Sequence, residues 1–244
     1  MGENIFETDL AVQSSQVNAQ GRMSIAGMFD LFMDLASSHA EKLDVGFDAM
    51  HARRAYWVAA RTRVHIYERP RLMEPVSART WPGTPGAVKC DRFYTVTRNG
   101  TVLVEGRTEW VGQNIDTGRV MKVGDFGYPL TMEHRPERVC QGPFTRFREQ
   151  PDPANLCRTY TVSSRDIDMG RHMNNVAYIR LLMDTFTVAE LEAMDIAEVE
   201  VSYAMACREG ERLSIYRRRD EEGWRFMVQK PDGTAAVQMA LRTK

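Results

Sequence analysis

Cysteine is scarce and scattered in this chain of 244 residues. Four occur, Cys90, Cys140, Cys157 and Cys207, and no two form a Cys-x-x-Cys pair. Neither a zinc ribbon nor a thioredoxin-type redox site is therefore indicated. The start, Met1 to Phe6, lacks the basic-then-apolar order of a secretory leader, so no disulfide framework is expected. Phe6 stands where a myristoylation pattern needs Ser or Thr. No apolar run approaches the roughly 18–20 residues of a membrane span. Net charge is nearly absent: Lys+Arg number 32 against 33 for Asp+Glu, leaving -1. That balance argues against a general nucleic-acid binder, which would carry a basic excess. His39, His51, His65 and His134 are scattered and match no ligand spacing. The expectation is a reduced, cytoplasmic chain with no metal.

Proline is sparse except in one place. Five of the ten prolines, Pro129, Pro136, Pro143, Pro151 and Pro153, fall within 129–153. Proline removes a backbone donor and fixes φ, which suits a linker and opposes a sheet interior. The chain is therefore divided into a first lobe over 1–128, a linker over 129–155 lying along the surface, and a second lobe over 156–244.

The two lobes repeat each other. Gly21-Arg22 precedes an amphipathic stretch from Ser24 to about His39, with Ile25, Met28, Phe29, Phe32 and Leu35 on one face. Gly170-Arg171 precedes another from Asn175 to about Ala193, with Val176, Ile179, Leu182, Met183 and Phe186 on one face. Both show the spacing of a helix with one buried side. Ser24, and Asn174 or Asn175, are suitable N-caps. Strand patterns follow: Val58, Ala60, Thr62, Val64 and Ile66 alternate with more polar residues, as do Val199, Val201 and Tyr203. Asn99-Gly100 and Asp232-Gly233 then mark two-residue hairpin turns. The first half carries about sixteen extra residues, placed near 40–57. A long helix followed by an antiparallel sheet, occurring twice, points to an α+β layer arrangement.

Candidate chemistry concentrates in Asp166-Ile167-Asp168-Met169-Gly170-Arg171-His172-Met173-Asn174-Asn175, at the start of the second helix. Outward-pointing N–H groups and the helix dipole there favour negative charge and could hold the oxyanion of an attacked carbonyl or thioester. Asp168 could act as general base or nucleophile, and His172 could orient a carbonyl or shuttle a proton. The plainer reading is that Asn174 and Asn175 cap the helix while Asp166 and Asp168 complement its dipole.

The run DIDMGRHMNNVAYI resembles the second-lobe motif of acyl-acyl-carrier-protein thioesterases, a family with a double hotdog fold. Residues 56–82, YWVAARTRVHIYERPRLMEPVSARTWP, are similar to that family's first lobe. So is WVGQNIDTGRVMKV, from Trp110 to Val123. The resemblance covers roughly 5–125 and 156–244. It implies a tandem hotdog, each lobe a long helix wrapped by an antiparallel sheet. It also implies hydrolysis of fatty acyl thioesters of acyl carrier protein, with no cofactor and no metal. The family's catalytic Asp falls on Asp168 and its His on His172, with the oxyanion held near Asn174 and Asn175. Two positions depart from the pattern. Gly170 stands where the family has Asn, and Ala206 stands where it has Glu. Cys207 matches a cysteine of plant members and is a further candidate nucleophile, although a cysteine on an alternating strand is more often a small buried hydrophobe. Glu209, three residues beyond Ala206, would need a bulge to take the missing role.

The resemblance also gives the first lobe an influence on acyl chain length, so Met28, Phe29 and Phe32 are candidate acyl-chain contacts. Arg217, Arg218 and Arg219, with Arg69 and Arg71, could steer an acidic carrier, though a solvated strand end explains the first three equally simply. Alternative readings are an acyl-CoA thioesterase and a non-catalytic binder of acyl chains or acyl carrier protein, the latter raised by Gly170 and Ala206. Two chains could also pair as a homodimer.

Overall fold

The computed structural model describes residues 4–148 and 150–244. The chain divides into two compact units, Met1–Gly142 and Pro143–Lys244. Residues 129–142 of the proline-rich stretch thus go with the first unit and 143–155 with the second.

The first unit begins with strand β1 (Phe6–Ala11), followed by helices α1 (Ile25–Lys42) and α2 (Phe47–Ala52). Strands β2 (Ala55–Ile66), β3 (Pro75–Pro82), β4 (Lys89–Arg98) and β5 (Thr101–Asn114) complete it. The strands pair antiparallel in the order β1-β3-β4-β5-β2. Ser24 caps α1 by accepting from Gly27 N–H at 2.9 Å. Asp44, in the left-handed region at φ +55°, stands just beyond its end, a usual helix-stop conformation. The apolar face read from the sequence is buried: Ile25, Met28, Phe29, Phe32 and Leu35. Phe32 stacks on Tyr94 of β4 with ring centroids 4.4 Å apart. It also lies over Gly106 of β5, where a Cβ would stand 2.2 Å from its ring. The glycine is what lets helix and sheet approach this closely. The extra residues of this half form α2 and its surroundings, where Val45, Met50, Ala55, Cys90, Phe126 and Tyr128 make a core cluster.

The second unit contains strand β6 (Leu156–Thr161), helices α3 (Asn175–Met183) and α4 (Val188–Glu192), and strands β7 (Ile196–Tyr203), β8 (Arg212–Arg219), β9 (Gly223–Gln229) and β10 (Ala235–Thr243). Its antiparallel order is β6-β8-β9-β10-β7. Strand for strand this is the order of the first unit. Each unit is one hotdog, a helix packed on a five-stranded antiparallel sheet, and the chain is a double hotdog.

Four local expectations are corrected. The second helix does not run to Ala193. It ends at Met183, and α4 starts separately at Val188. Thr185 Oγ1 donates to Leu182 O at 2.7 Å, and Thr187 forms a capping box with Glu190. Both side chains offer the backbone an alternative to continued helix. Phe186 therefore leaves the helical face and packs edge-on against Trp224 and Phe226. In β2 the alternation holds at Thr62, Val64 and Ile66, but Val58 and Ala60 are only half-buried while Ala55 and Ala59 are buried. A bulge between Ala59 and Arg61 shifts the register, and one extra residue exchanges the faces. Asn99 and Gly100 both adopt positive φ, as a two-residue turn needs. Asp232-Gly233 instead belongs to a longer turn, in which Gly233 N–H donates to Lys230 O and Lys230 N–H donates to Thr234 O. Pro231 fixes φ near -65° and excludes the mirror-image turn, so only Gly233 takes positive φ. Finally, the Gly-Arg dipeptides used to align the halves are one residue out of register, as the site geometry below establishes.

Among the described residues no helix is long and apolar enough to cross a membrane. None of the four cysteines forms a disulfide; Cys90, Cys140 and Cys207 are buried and Cys157 is exposed.

Candidate active site

The segment before α3 folds back on itself as a tight hairpin. Ile167 and Met173 form a β-bridge. Asp168 N–H donates to His172 O at 2.9 Å, and Arg171 N–H donates to Asp168 O at 3.0 Å. Asn174 N–H donates to Asp166 O at 2.7 Å, and Met173 N–H donates to Cys207 O at 2.8 Å. Arg171 takes φ +58° to close the loop. Asp168, Gly170, His172 and Asn174 are thereby held on one loop leading into a helix N-terminus. Asp168 is exposed and His172 is half-buried.

The Asp168 carboxylate is positioned by the backbone, since Gly170 N–H donates to Oδ1 at 2.8 Å. A Cβ at position 170 would stand 3.1 Å from that oxygen and 4.0 Å from His172 Nδ1. The glycine thus sits beneath a space bounded by the carboxylate and the imidazole.

Asp166 has a different job. Its Oδ2 accepts from Tyr160 Oη at 2.7 Å, Ser163 N–H at 2.8 Å and Ser163 Oγ at 2.8 Å. Burial opposes ionisation, but these donors outweigh it and hold the carboxyl below its ordinary value. Asp166 fastens the base of the hairpin.

The helix-end amides are not all available to an oxyanion. Asn174 is the N-cap of α3, with Oδ1 accepting from Val176 N–H at 2.7 Å. Its own N–H is bonded to Asp166 O. The expected group of amides near Asn174 and Asn175 loses the Asn174 and Val176 members to this capping arrangement. The Asn175 N–H is engaged by neither bond.

Cys207 enters the site through its backbone. Its carbonyl accepts from Met173, and its N–H donates to Tyr178 Oη at 3.1 Å. The side chain is fully buried, and burial pushes the thiol pKa up. That is the environment of a packing cysteine rather than of an activated nucleophile. Ala206 is exposed and its carbonyl accepts from Lys230 Nζ. Met28, Phe29 and Phe32 lie in the first unit on the buried face of α1. Of the arginine run, Arg217 is engaged within its own unit: it donates to Thr185 O and stacks over Phe186 and Trp224.

The first unit contains the same hairpin. Val17 and Met23 form the bridge. Asn18 N–H donates to Arg22 O, Gly21 N–H to Asn18 O, and Ser24 N–H to Gln16 O. Met23 N–H donates to Pro70 O, as Met173 N–H does to Cys207 O. Every residue of the hairpin itself lies 150 positions before its counterpart, the outside acceptors Pro70 and Cys207 excepted. Gly21, at φ +65°, therefore matches Arg171, and Arg22 matches His172. Gln16 accepts from Gln13 N–H as Asp166 accepts from Ser163 N–H. Asn18 matches Asp168, its Oδ1 accepting from Gln20 N–H as Asp168 accepts from Gly170 N–H. One scaffold appears twice, and in the second copy an amide is replaced by a carboxylate and a guanidinium by an imidazole.

The comparisons with known proteins agree with this architecture. The family described as the acyl-ACP thioesterase N-terminal domain matches residues 3–126, and that described as the acyl-ACP thioesterase C-terminal domain matches 149–241. Oleoyl-acyl carrier protein thioesterase 1 of Arabidopsis thaliana is 24% identical over 224 residues, 84% of this chain and 61% of that protein. Palmitoyl-acyl carrier protein thioesterase of Cuphea hookeriana is 21% identical over 234 residues, 90% of this chain and 56% of that protein. The chain thus spans only about three fifths of the length of these chloroplastic relatives. Among solved structures, an acyl-ACP thioesterase from Bacteroides thetaiotaomicron superposes with TM-score 0.84 at 20% identity, covering 99% of this chain and 98% of that one. The 12:0-ACP thioesterase of Umbellularia californica gives 0.83 at 19%, covering 100% and 99%. These similarities show the fold, and the two matches that together take in most of the chain place it in the acyl-ACP thioesterase family.

Proposed function

We propose that this chain hydrolyses the thioester joining a fatty acyl group to the phosphopantetheine arm of acyl carrier protein. The observation that carries the reading is the hairpin that holds an exposed carboxylate, Asp168, beside His172 at the start of α3. Family membership supplies the substrate class.

Asp168 takes a proton from a water molecule, and the resulting hydroxide forms a bond to the thioester carbonyl carbon. The carbonyl electron pair moves onto oxygen, where the Asn175 N–H and the positive end of α3 stabilise it. The tetrahedral species collapses, the C–S bond breaks, and the thiolate takes the proton back with His172 as the relay. The products are a fatty acid and the free carrier thiol. Each step uses groups of this chain and water.

The proposed partner is acyl carrier protein, and the proposed compartment is a reducing, cytoplasmic one, in keeping with four cysteines that form no disulfide. A homodimer is compatible with this reading, and light scattering on the purified chain decides it. The test of function is a hydrolysis panel of acyl-carrier-protein and acyl-CoA thioesters from short to long chains, with Asp168→Asn as control. The reading expects turnover that prefers the carrier-protein substrates and is lost in the variant. Preference for coenzyme A would reassign the substrate. Tight binding with no turnover would make the chain a non-catalytic binder, the outcome that Gly170 and Ala206 favour.

A further inference from the structure

His65, Glu105 and Cys140 are far apart in sequence, and the first unit brings them together. His65 and Glu105 face each other across the β2–β5 register, as do Arg63 and Arg107 two positions away. These four alternate with Val64 and Gly106, and Gly106 points at Phe32 of α1. They therefore stand on the sheet face away from the helix. The segment around residue 140 crosses that face. Arg63 Nη1 donates to Gln141 O at 3.0 Å, Arg107 Nη1 donates to Gly142 O at 3.1 Å, and Gln141 Nε2 donates to Arg138 O at 3.2 Å. Pinned in this way, Cys140 adopts φ +49°, an uncommon value for a residue with a side chain, and is buried to 3% exposure. One ligand atom from each of His65, Glu105 and Cys140 lies within 4.8 Å of the others.

We propose that these three side chains bind a zinc ion. Tetrahedral bonds to nitrogen, oxygen and sulfur place ligand atoms about 3.5 Å apart, so shifts of about 1 Å close the site. A thiolate, an imidazole and a carboxylate together suit zinc, and hard cations such as magnesium or calcium prefer oxygen-only sites. The two anionic ligands balance the charge of the ion. The fourth position takes water or the Tyr67 hydroxyl, which is hydrogen-bonded to Glu105 Oε2 at 3.1 Å. Burial of Cys140 decides against the other chemistry such a trio could serve: attack on a thioester needs an accessible sulfur, and Cys140 is buried while His65 and Glu105 are half-buried. The bound ion would tie the segment 138–142 to strands β2 and β5. The proposal is independent of the hydrolytic reading.

The test is cobalt titration of the full-length chain after chelation of any metal. One equivalent of cobalt is expected to give thiolate-to-metal charge-transfer absorption that zinc abolishes by displacement. His65→Ala is expected to weaken cobalt binding by at least about tenfold. Cys140→Ser is expected to remove the charge-transfer band, and Cys157→Ser is expected to retain it. A featureless titration, a band that survives Cys140→Ser, or cobalt affinity unchanged in His65→Ala overturns the proposal. If Cys140→Ser does not fold, alkylation of the wild-type chain at a denaturant concentration that exposes Cys140, followed by peptide mapping, replaces it. Zinc must then slow modification of Cys140 specifically, and unchanged labelling overturns the site.

Discussion

Asn18 and Asp168 occupy the same place in two copies of one hairpin, each with Oδ1 accepting a backbone N–H from the residue two positions on. The scaffold accepts either an amide or a carboxylate there. Only the carboxylate can take a proton from water, which confines the proposed chemistry to the second copy. The same relationship makes Asp168→Asn an unusually clean substitution, because the first unit already shows the asparagine form of the loop.

Gly170 should accept a side chain. The first copy carries Gln20 at the matching place, its N–H donating to Asn18 Oδ1 as Gly170 N–H donates to Asp168 Oδ1. A Cβ at position 170 would stand 3.1 Å from Asp168 Oδ1, so the carboxylate gives by only a few tenths of an ångström. Gly170→Asn, which restores the residue the resemblance puts here, is expected to keep kcat for the best acyl thioester within about threefold of wild type or to raise it, with KM little changed. Steady-state kinetics check this, and a tenfold loss of kcat would show that the carboxylate has no room to move.

Arg171 holds a left-handed conformation at φ +58° that glycine holds in the first copy. A side chain there costs about 1–2 kcal/mol, and glycine's greater unfolded-state entropy returns roughly 0.5–1 kcal/mol of the difference. Arg171→Gly is therefore expected to stabilise the protein by up to about 1 kcal/mol, read as a higher denaturation midpoint. A clear loss of stability would mean that the arginine side chain makes a contact worth more than the strain.

Asp166 links the hairpin to pH. Its folded pKa is held below the unfolded value by Tyr160 and Ser163. The stabilisation is therefore present above the ordinary carboxylate range, near pH 4, and is lost as pH falls through the lower folded value. Asp166→Ala should cost about 1–3 kcal/mol at neutral pH, since it removes hydrogen bonds to a charged group. It should also flatten the acid limb of a stability-versus-pH curve. Denaturant unfolding from pH 7 to pH 3 measures both.

The cysteines should sort by burial. Under native conditions Cys157 is expected to be alkylated first. Cys90, buried and with its thiol pushed up to about 12 by desolvation, and Cys207, fully buried, should react only on unfolding. Cys207→Ala should leave kcat within a few-fold of wild type. Rapid native labelling of Cys207, or a large loss of turnover in Cys207→Ala, would return it to the list of candidate nucleophiles.

Much of this was legible in the residues, and the exceptions have identifiable causes. The repeat shows because both halves must bury a helix face against a sheet, and that leaves matching apolar spacings from Ile25 and from Val176. Its register does not show: the Gly-Arg pairs suggest an offset of 149, while the backbone aligns Gly21 with Arg171. What is repeated is a positive φ, which arginine tolerates at a cost and no residue type announces. The bulge after Ala59 and the side-chain caps at Thr185 and Thr187 are local events that override periodicity. Asp166 and Asp168 look alike as two acids in one motif. They separate only when Tyr160 and Ser163 are seen to close on the first. His65, Glu105 and Cys140 share no spacing at all, because sheet pairing and a pinned crossing segment bring them together.

Turnover of acyl-carrier-protein thioesters by the wild-type chain and by Asp168→Asn, with unfolding of both measured in parallel, decides whether Asp168 drives the hydrolysis. The predicted result is a fall of at least about 10²-fold in hydrolysis with stability and secondary structure unchanged, the asparagine accepting from Gly170 N–H as Asn18 accepts from Gln20. Equal turnover by the two proteins would contradict the account and remove Asp168 from the reaction.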